Sequence, residues 1–267
     1  MRIFSLFLLF AIILSPIVIA HEGEGFVSGV DETIRSNSIT YVLIASAILA
    51  LFVIYSIHAY KRPHFTETKK IVLFLGIIIP VILTTVYIVG GTVYLNSISV
   101  SKGPVHWHAD FEIYGCYDRI DLIEPKGLSN RVGTAVLHEH GDNRLHVEGV
   151  VVNMADIELG ELFEILGGTL TEDELTVPTE EYVADFKKGD KCNGEEGKVQ
   201  VFLYKLVNGE IIQEKLDDFR EYVLSPYFTV PPGDCLIIEF SPEKEKTSHM
   251  CETYKIAIEK GAVSYGS

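Results

Sequence analysis

The chain has little positive charge. Its 22 Lys and Arg residues stand against 37 Asp and Glu residues, and the formal net charge is −15. An acidic protein repels phosphate backbones, so binding to nucleic acid is disfavoured. The chain also lacks a Gly-x-Ser-x-Gly nucleophile motif, a P-loop and a dinucleotide-binding fingerprint. These absences argue against the common hydrolase, nucleotidase and dehydrogenase classes, without excluding an enzyme of another kind.

Long apolar runs fill the first hundred residues, and the mean hydropathy of the chain is +0.25 despite its acidity. Residues 1–20 have a basic start at Arg2, an apolar run and small residues at the end, which is typical of a signal peptide. An uncleaved signal anchor is the alternative. Residues 39–59 and 71–95 contain no Asp, Glu, Lys or Arg. Each can cross about 30 Å of hydrocarbon as a helix, so we predict two transmembrane helices.

The charges that flank these two segments predict their orientation. Residues 60–70 carry four Lys or Arg residues against one Glu, whereas residues 21–38 carry four acidic residues against one Arg. The positive-inside rule places 60–70 in the cytoplasm and both flanks outside. The sequence therefore predicts a multi-pass protein of the cell membrane, in contact with the lipid bilayer, whose C-terminal domain lies outside the cytoplasm.

Cysteine is scarce, and all four cysteines fall in the predicted external part. An even number in an oxidising compartment predicts two disulfide bonds, for which three pairings are possible. No Cys-x-x-Cys occurs, which disfavours a thioredoxin-type redox site and a zinc ribbon. The cysteines are Cys116, Cys192, Cys235 and Cys251.

Residues 98–267 have the size of one domain and hold 16 basic and 32 acidic residues. Alternation of apolar and polar residues predicts a mainly β extracytoplasmic domain, a sandwich or compact barrel, with one short helix within 155–166. The acidic tract 171–181 is predicted to be a surface loop. The predicted strands are 105–113, 119–123, 134–140, 145–152, 181–186, 199–207, 210–214, 227–230, 235–240 and 253–258.

Five of the nine histidines lie between residues 106 and 146, in motifs of the form His-x-His or His-x-Glu. On a strand, residues separated by one point to the same side, so adjacent strands can gather these side chains round one ion. Imidazole with a carboxylate suits a transition metal, and Cu or Zn is favoured outside the cell. The predicted metal ligands are His106, His108, His138, His140, His146 and Glu148.

Neighbouring residues are expected to support this site. The tight sequence 141–143 predicts a hairpin that brings His140 and His146 together. Asp110 and Glu112 share the predicted histidine face, where they are candidates to orient the rings or are simply solvated.

The other histidines are not predicted as ligands of this site. His58 and His64 are interpreted as interfacial, and His249 as an isolated surface residue. His21 becomes the N-terminus if cleavage follows Ala20. An N-terminal histidine can chelate copper through its amine and its ring, although chance placement is the simpler interpretation.

These motifs resemble those of an uncharacterised family of secreted or membrane-tethered archaeal and bacterial proteins. That family carries an H-x-H strand, an H-x-H-[DG] motif, an H-V-E segment and an L-G-x-[FL]-F helix. The matching stretches here begin at His106, His138, His146 and Leu159. The resemblance covers roughly residues 104–240 and not the two spans. It implies a shared histidine constellation of the metal-site type, and no particular activity.

Three functions follow from these patterns. The first is capture, delivery or sensing of Cu or Zn by a domain tethered to the membrane. The second is a metal-dependent enzyme with an open coordination position, for which Glu139 or Glu148 is the candidate general base. His106, His108 and Glu112 are similar to the start of a cupin metal motif, but the second cupin motif is missing. The third is a structural envelope module that holds a structural ion.

Overall fold

The computed structural model describes residues 28–60, 66–126, 130–224 and 233–265. The chain divides into two compact units, Met1–Leu95 and Asn96–Ser267, which are described separately. The predicted signal peptide, His21, His64 and the predicted strand 227–230 lie outside the described residues.

The described residues of the first unit lie almost entirely in two long helices, α1 (Ser28–Tyr60) and α2 (Glu67–Ile98), and the last three residues of α2 belong to the second unit. Both are long and apolar enough to cross a membrane, and the predicted spans 39–59 and 71–95 lie within them. Pro80 lies inside α2 without ending it, as transmembrane helices tolerate. The described part of the predicted external segment 21–38, from Ser28 onward, is helical.

The second unit is mainly β, as predicted. Its described residues form strands β1 (Pro104–Gly115), β2 (Asp118–Ile120), β3 (Val132–Gly133), β4 (Leu137–Glu139), β5 (Arg144–Val150), β6 (Thr169–Leu170), β7 (Glu174–Pro178), β8 (Val183–Lys187), β9 (Lys191–Cys192), β10 (Glu195–Val207), β11 (Glu210–Leu216), β12 (Asp234–Pro242) and β13 (Ser264–Tyr265).

Ten of these strands form one mixed sheet. Eight of them follow the order β13-β11-β10-β12-β1-β5-β4-β3, while β2 pairs with β1 and β9 pairs with β10. The pairs β1–β12 and β11–β13 are parallel, and the other pairs are antiparallel. The remaining strands form a smaller antiparallel sheet in the order β6-β7-β8. Side chains of both sheets share one hydrophobic core.

Along β1 and β5, apolar side chains that face the core alternate with polar side chains that face the other side of the large sheet. Trp107, Ala109, Phe111 and Ile113 are buried in the shared core, which agrees with the alternation of apolar and polar residues in the predicted strand 105–113. The residues between them on β1 therefore point away from the core, toward the face that carries the histidines. Farther along that face, β10 and β12 pack against the C-terminal segment in a second apolar cluster.

Two short α-helices accompany the sheets, α3 (Leu159–Ile165) and α4 (Glu252–Glu259). The first lies within the predicted helical stretch 155–166, directly after a 3-10 turn at Met154–Ile157. The second corrects the predicted strand 253–258. Apolar residues do alternate there, but Tyr254 and Ala257 are the buried ones and Ile256 is exposed, so the burial follows helical spacing.

A second correction concerns the acidic tract 171–181, which was predicted to be a loop. It contains β7, where Leu175 and Val177 are fully buried while the residues beside them are partly exposed. This is the alternation of a half-buried strand, and the acidic residues at its ends concealed it.

The disulfide bonds are Cys116–Cys192 and Cys235–Cys251, so the structure selects one of the three possible pairings. The first joins the end of β1 to β9, and the second joins β12 to the start of α4. Both lie in the second unit, where the sequence placed all four cysteines.

Candidate metal centre

The register of three neighbouring strands sets three histidines side by side. His108 on β1 lies directly opposite His146 on β5, and His146 lies directly opposite His138 on β4. Residues opposite each other on antiparallel strands have Cβ atoms about 5 Å apart. The ring centroids are correspondingly close, at 4.6 Å for His108 and His146 and 5.6 Å for His138 and His146.

A second row of donor side chains, His106 and Glu148, lies next to the row of three histidines. His106 pairs with Glu148 across β1 and β5, and its Nε2 is 2.7 Å from Oε1 of that carboxylate. The other carboxylate oxygen, Oε2, lies 3.8 Å from Nε2 of His138. Glu148 therefore stands between histidines of two different strands, with one oxygen toward each.

The hairpin between β4 and β5 adds His140. Its ring is 4.8 Å from that of His138 and 4.7 Å from that of His146, as the tight connection predicted. Nδ1 of His140 contacts the backbone carbonyl of Asn130. A carbonyl only accepts, so Nδ1 carries the proton and the lone pair of Nε2 is left for a metal ion.

Two buried ring nitrogens in the cluster have no hydrogen-bond partner among the described residues, although Nδ1 of His146 lies 4.0 Å from Oε1 of Glu148. His138 is 1% exposed and His146 is 8% exposed, and neither Nδ1 atom is hydrogen-bonded by any described residue. Nε2 of His146 faces the carboxylate of Asp142 at 3.4 Å, which favours a proton on Nε2 and a lone pair on Nδ1. A buried polar atom without a partner is costly, and a bound cation would satisfy both atoms.

Burial also keeps these rings in the form that binds metal. It lowers the pKa of His138 to about 4, with a smaller contribution from the neighbouring His140. Burial lowers the pKa of His146 as well, although the Asp142 carboxylate opposes that shift. The pKa of His108 is lowered by burial and then by His146 and His106. At neutral pH these three imidazoles are uncharged, as metal ligation requires.

The donor atoms form two overlapping groups, which we call the inner set and the outer set. The inner set consists of His138, His140, His146 and Glu148, and the outer set of His106, His108 and His146. Within each set, one donor atom per residue lies within 4.8 Å of the others. The six predicted ligands thus come together, with His146 common to both sets.

The candidate carboxylates Glu139 and Asp110 make their hydrogen bonds outside the histidine cluster. Glu139 alternates with His138 and His140, and its Oε1 accepts hydrogen bonds from the backbone N–H groups of residues 142 and 143. Asp110 accepts hydrogen bonds from Arg144 and Thr253. These carboxylates hold the hairpin loop and the start of α4, and within the described part of the chain neither of them is hydrogen-bonded to a histidine of the cluster.

The polar contacts of Glu112 and His249 also lie outside the cluster. Glu112 accepts a hydrogen bond from Tyr114, whose ring stacks on His249 at 3.7 Å. His249 is not the isolated surface residue that the sequence suggested, because its Nδ1 lies 2.8 Å from the fully buried carboxylate of Glu239.

Sequence reasoning missed the two groups that orient the rings. Asp142, which faces His146, stands in the predicted hairpin loop, and its position between two ligand motifs was the available signal. The carbonyl of Asn130 gave no such signal, because any residue supplies the same backbone group.

Comparison with protein-family models, with curated proteins and with solved structures finds no match for this chain.

Proposed function

We propose that this protein is anchored in the membrane and binds one Cu or Zn ion outside the cytoplasm, for capture, delivery or sensing of the metal. The observation that carries the proposal is the pair of buried imidazole nitrogens, on His138 and His146, that lack a hydrogen-bond partner among the described residues. Their strands bring them next to two further donors. A metal ion is the ligand that would satisfy these atoms together.

The donors of the inner set favour a transition metal of intermediate softness. Three imidazoles and one carboxylate suit Zn and Cu, whereas Ca and Mg prefer oxygen ligands. Four donors also fill the shell of a tetrahedral ion and leave no position for water, which favours holding an ion over activating water. For that reason we place metal binding ahead of the enzyme alternative, in which Glu148 would be a base rather than a ligand.

The remainder of the chain supports a location outside the cytoplasm. Two helices have the length and apolar character of spans, and the basic residues of the segment between them favour a cytoplasmic position for that segment. The second unit then lies outside, where oxidising conditions allow its two disulfide bonds to form and persist. Its acidic surface would raise the local concentration of cations.

Metal analysis of the full chain tests the proposal. The protein is purified in detergent without a histidine tag, and its Cu(II) and Zn(II) binding is measured by calorimetry and elemental analysis. We expect one ion per chain. Replacement of His138 by Leu together with His140 by Ala should weaken binding by roughly 10⁴-fold, because each of four ligands supplies roughly 3 kcal/mol of a typical metal-binding free energy and the variant lacks two of them.

His58→Ala is the matched control, since it removes a histidine from the end of α1 and no ligand of the cluster. It should leave metal content unchanged. Circular dichroism and the fluorescence of Trp107 confirm that each variant is folded. Equal metal content in the parent and in the double variant would refute the proposal.

A further inference from the structure

The histidine rings form a continuous series from solvent to the interior. His106 has 61% of its side chain exposed, whereas His138 has 1% exposed. Successive rings lie close together along the way, with centroid distances of 4.4 Å from His106 to His108, 4.6 Å from His108 to His146 and 5.6 Å from His146 to His138. An ion that enters at the exposed end meets a new nitrogen donor at each step.

The number of donors also exceeds what one ion needs. Six residues offer ligand atoms, whereas a tetrahedral ion takes four. The surplus residues are His106, which is exposed, and His108, which is partly exposed, and both belong only to the outer set. Because His146 belongs to both sets and exposes one lone pair, the two sets cannot both be complete at the same time.

We propose that the outer set is an entry position, from which the ion passes to the inner set while His146 stays bound to it. This inference rests on the proposed function, since it concerns the path of the same ion. In the exchange, His106 and His108 release the ion as His138 and His140 bind it. The step exchanges one pair of imidazole ligands for another, and no electron is transferred. Glu148 assists both stages, because one of its oxygens faces His106 and the other faces His138.

An entry position has a kinetic signature that a permanent ligand lacks. It lowers the barrier between free and bound ion, so its loss slows binding and release by the same factor and leaves the equilibrium constant as it was. Loss of a permanent ligand weakens the equilibrium affinity instead. The two cases are therefore separated by measuring both rates and the affinity in one variant.

Trp107 is a suitable reporter for this measurement. It is the only tryptophan of the chain and lies on β1 between His106 and His108, with its side chain in the core. Bound Cu(II) quenches a nearby indole. The full chain in detergent is mixed with Cu(II) supplied as its glycine complex, so that ligand exchange limits the rate. Release is followed after mixing the loaded protein with excess EDTA.

We expect the variant His106→Ala with His108→Ala to bind and release Cu(II) about tenfold more slowly, with the two rates falling together. His58→Ala should match the parent in both rates. Unchanged rates in the double variant, a loss of equilibrium affinity, or two ions bound per parent chain would each overturn the entry position while leaving the proposed function intact. A parent chain that binds no Cu(II) would overturn both.

Discussion

Replacing His138 by Leu should stabilise the metal-free protein. The wild-type side chain is buried with Nδ1 unpaired, and the nearest carboxylate oxygen is 3.8 Å from Nε2, too far for a hydrogen bond. An unsatisfied buried polar atom costs about 1–3 kcal/mol. Leucine has a similar volume and no polar atom, so we expect the free energy of unfolding to rise by about 1–2 kcal/mol.

Guanidinium unfolding of the full chain in detergent, at neutral pH with EDTA present, measures this change. Fluorescence of Trp107 reports on the second unit, since that unit holds the only tryptophan. In thermal unfolding the expected rise in midpoint is roughly 2–4 °C per kcal/mol for a unit of this size. His106→Leu is the matched control, because that side chain is exposed, and its effect should stay within about 0.5 kcal/mol.

At saturating metal concentration the parent should be more stable than His138→Leu, which is the reverse of the order expected without metal. An ion that binds only the folded state stabilises it by about 2.7 kcal/mol when its free concentration is 100 times the Kd. The parent should gain this stability and His138→Leu should gain much less. If the metal-free variant is instead less stable than the parent by more than about 1 kcal/mol, His138 has a structural role and the reasoning from its unpaired nitrogen is wrong.

Two further predictions concern pH and the disulfide bonds. Burial lowers the pKa of His138 to about 4, so between pH 6.5 and 4 the unfolded chain binds a proton that the folded chain does not. Metal-free stability should therefore be complete above pH 6.5 and fall by about 3 kcal/mol toward pH 4, as unfolding at a series of pH values would show; an equal fall in His138→Leu would contradict this cause. Removing Cys116–Cys192, which closes a loop of 76 residues, should cost about 4 kcal/mol, against about 3 kcal/mol for Cys235–Cys251 with its 16 residues. Guanidinium unfolding of the two alanine double variants tests that order, and a larger loss for the shorter loop would refute it.

The sequence was most informative where one local pattern determined the outcome. Alternation on β1 placed Trp107 in the core and His106 and His108 on the opposite face, and the structure has them there. The sequence at 141–143 predicted the turn that brings His140 beside His146. In both cases the relevant contacts lie within one strand or one hairpin, so spacing along the chain was sufficient.

Prediction failed where distant segments decide the structure. The C-terminal segment reads as a strand by alternation, but it packs Tyr254 against β10 and β12 as part of α4. The parallel pairing of β1 with β12 joins segments more than a hundred residues apart, and no short pattern encodes it. The disulfide pairing follows from that arrangement, because it brings the end of β1 near β9 and the start of β12 near α4.

The sheet register makes the histidine cluster inseparable from the fold. Ligands and core residues alternate on β1, so one residue inserted before His106 would turn both imidazoles into the apolar interior and expose the indole of Trp107. Insertions in β5 would have the same result for His146. Length changes within β1 or β5 therefore remove donors from their shared face, so within these strands the donor set can change only by substitution.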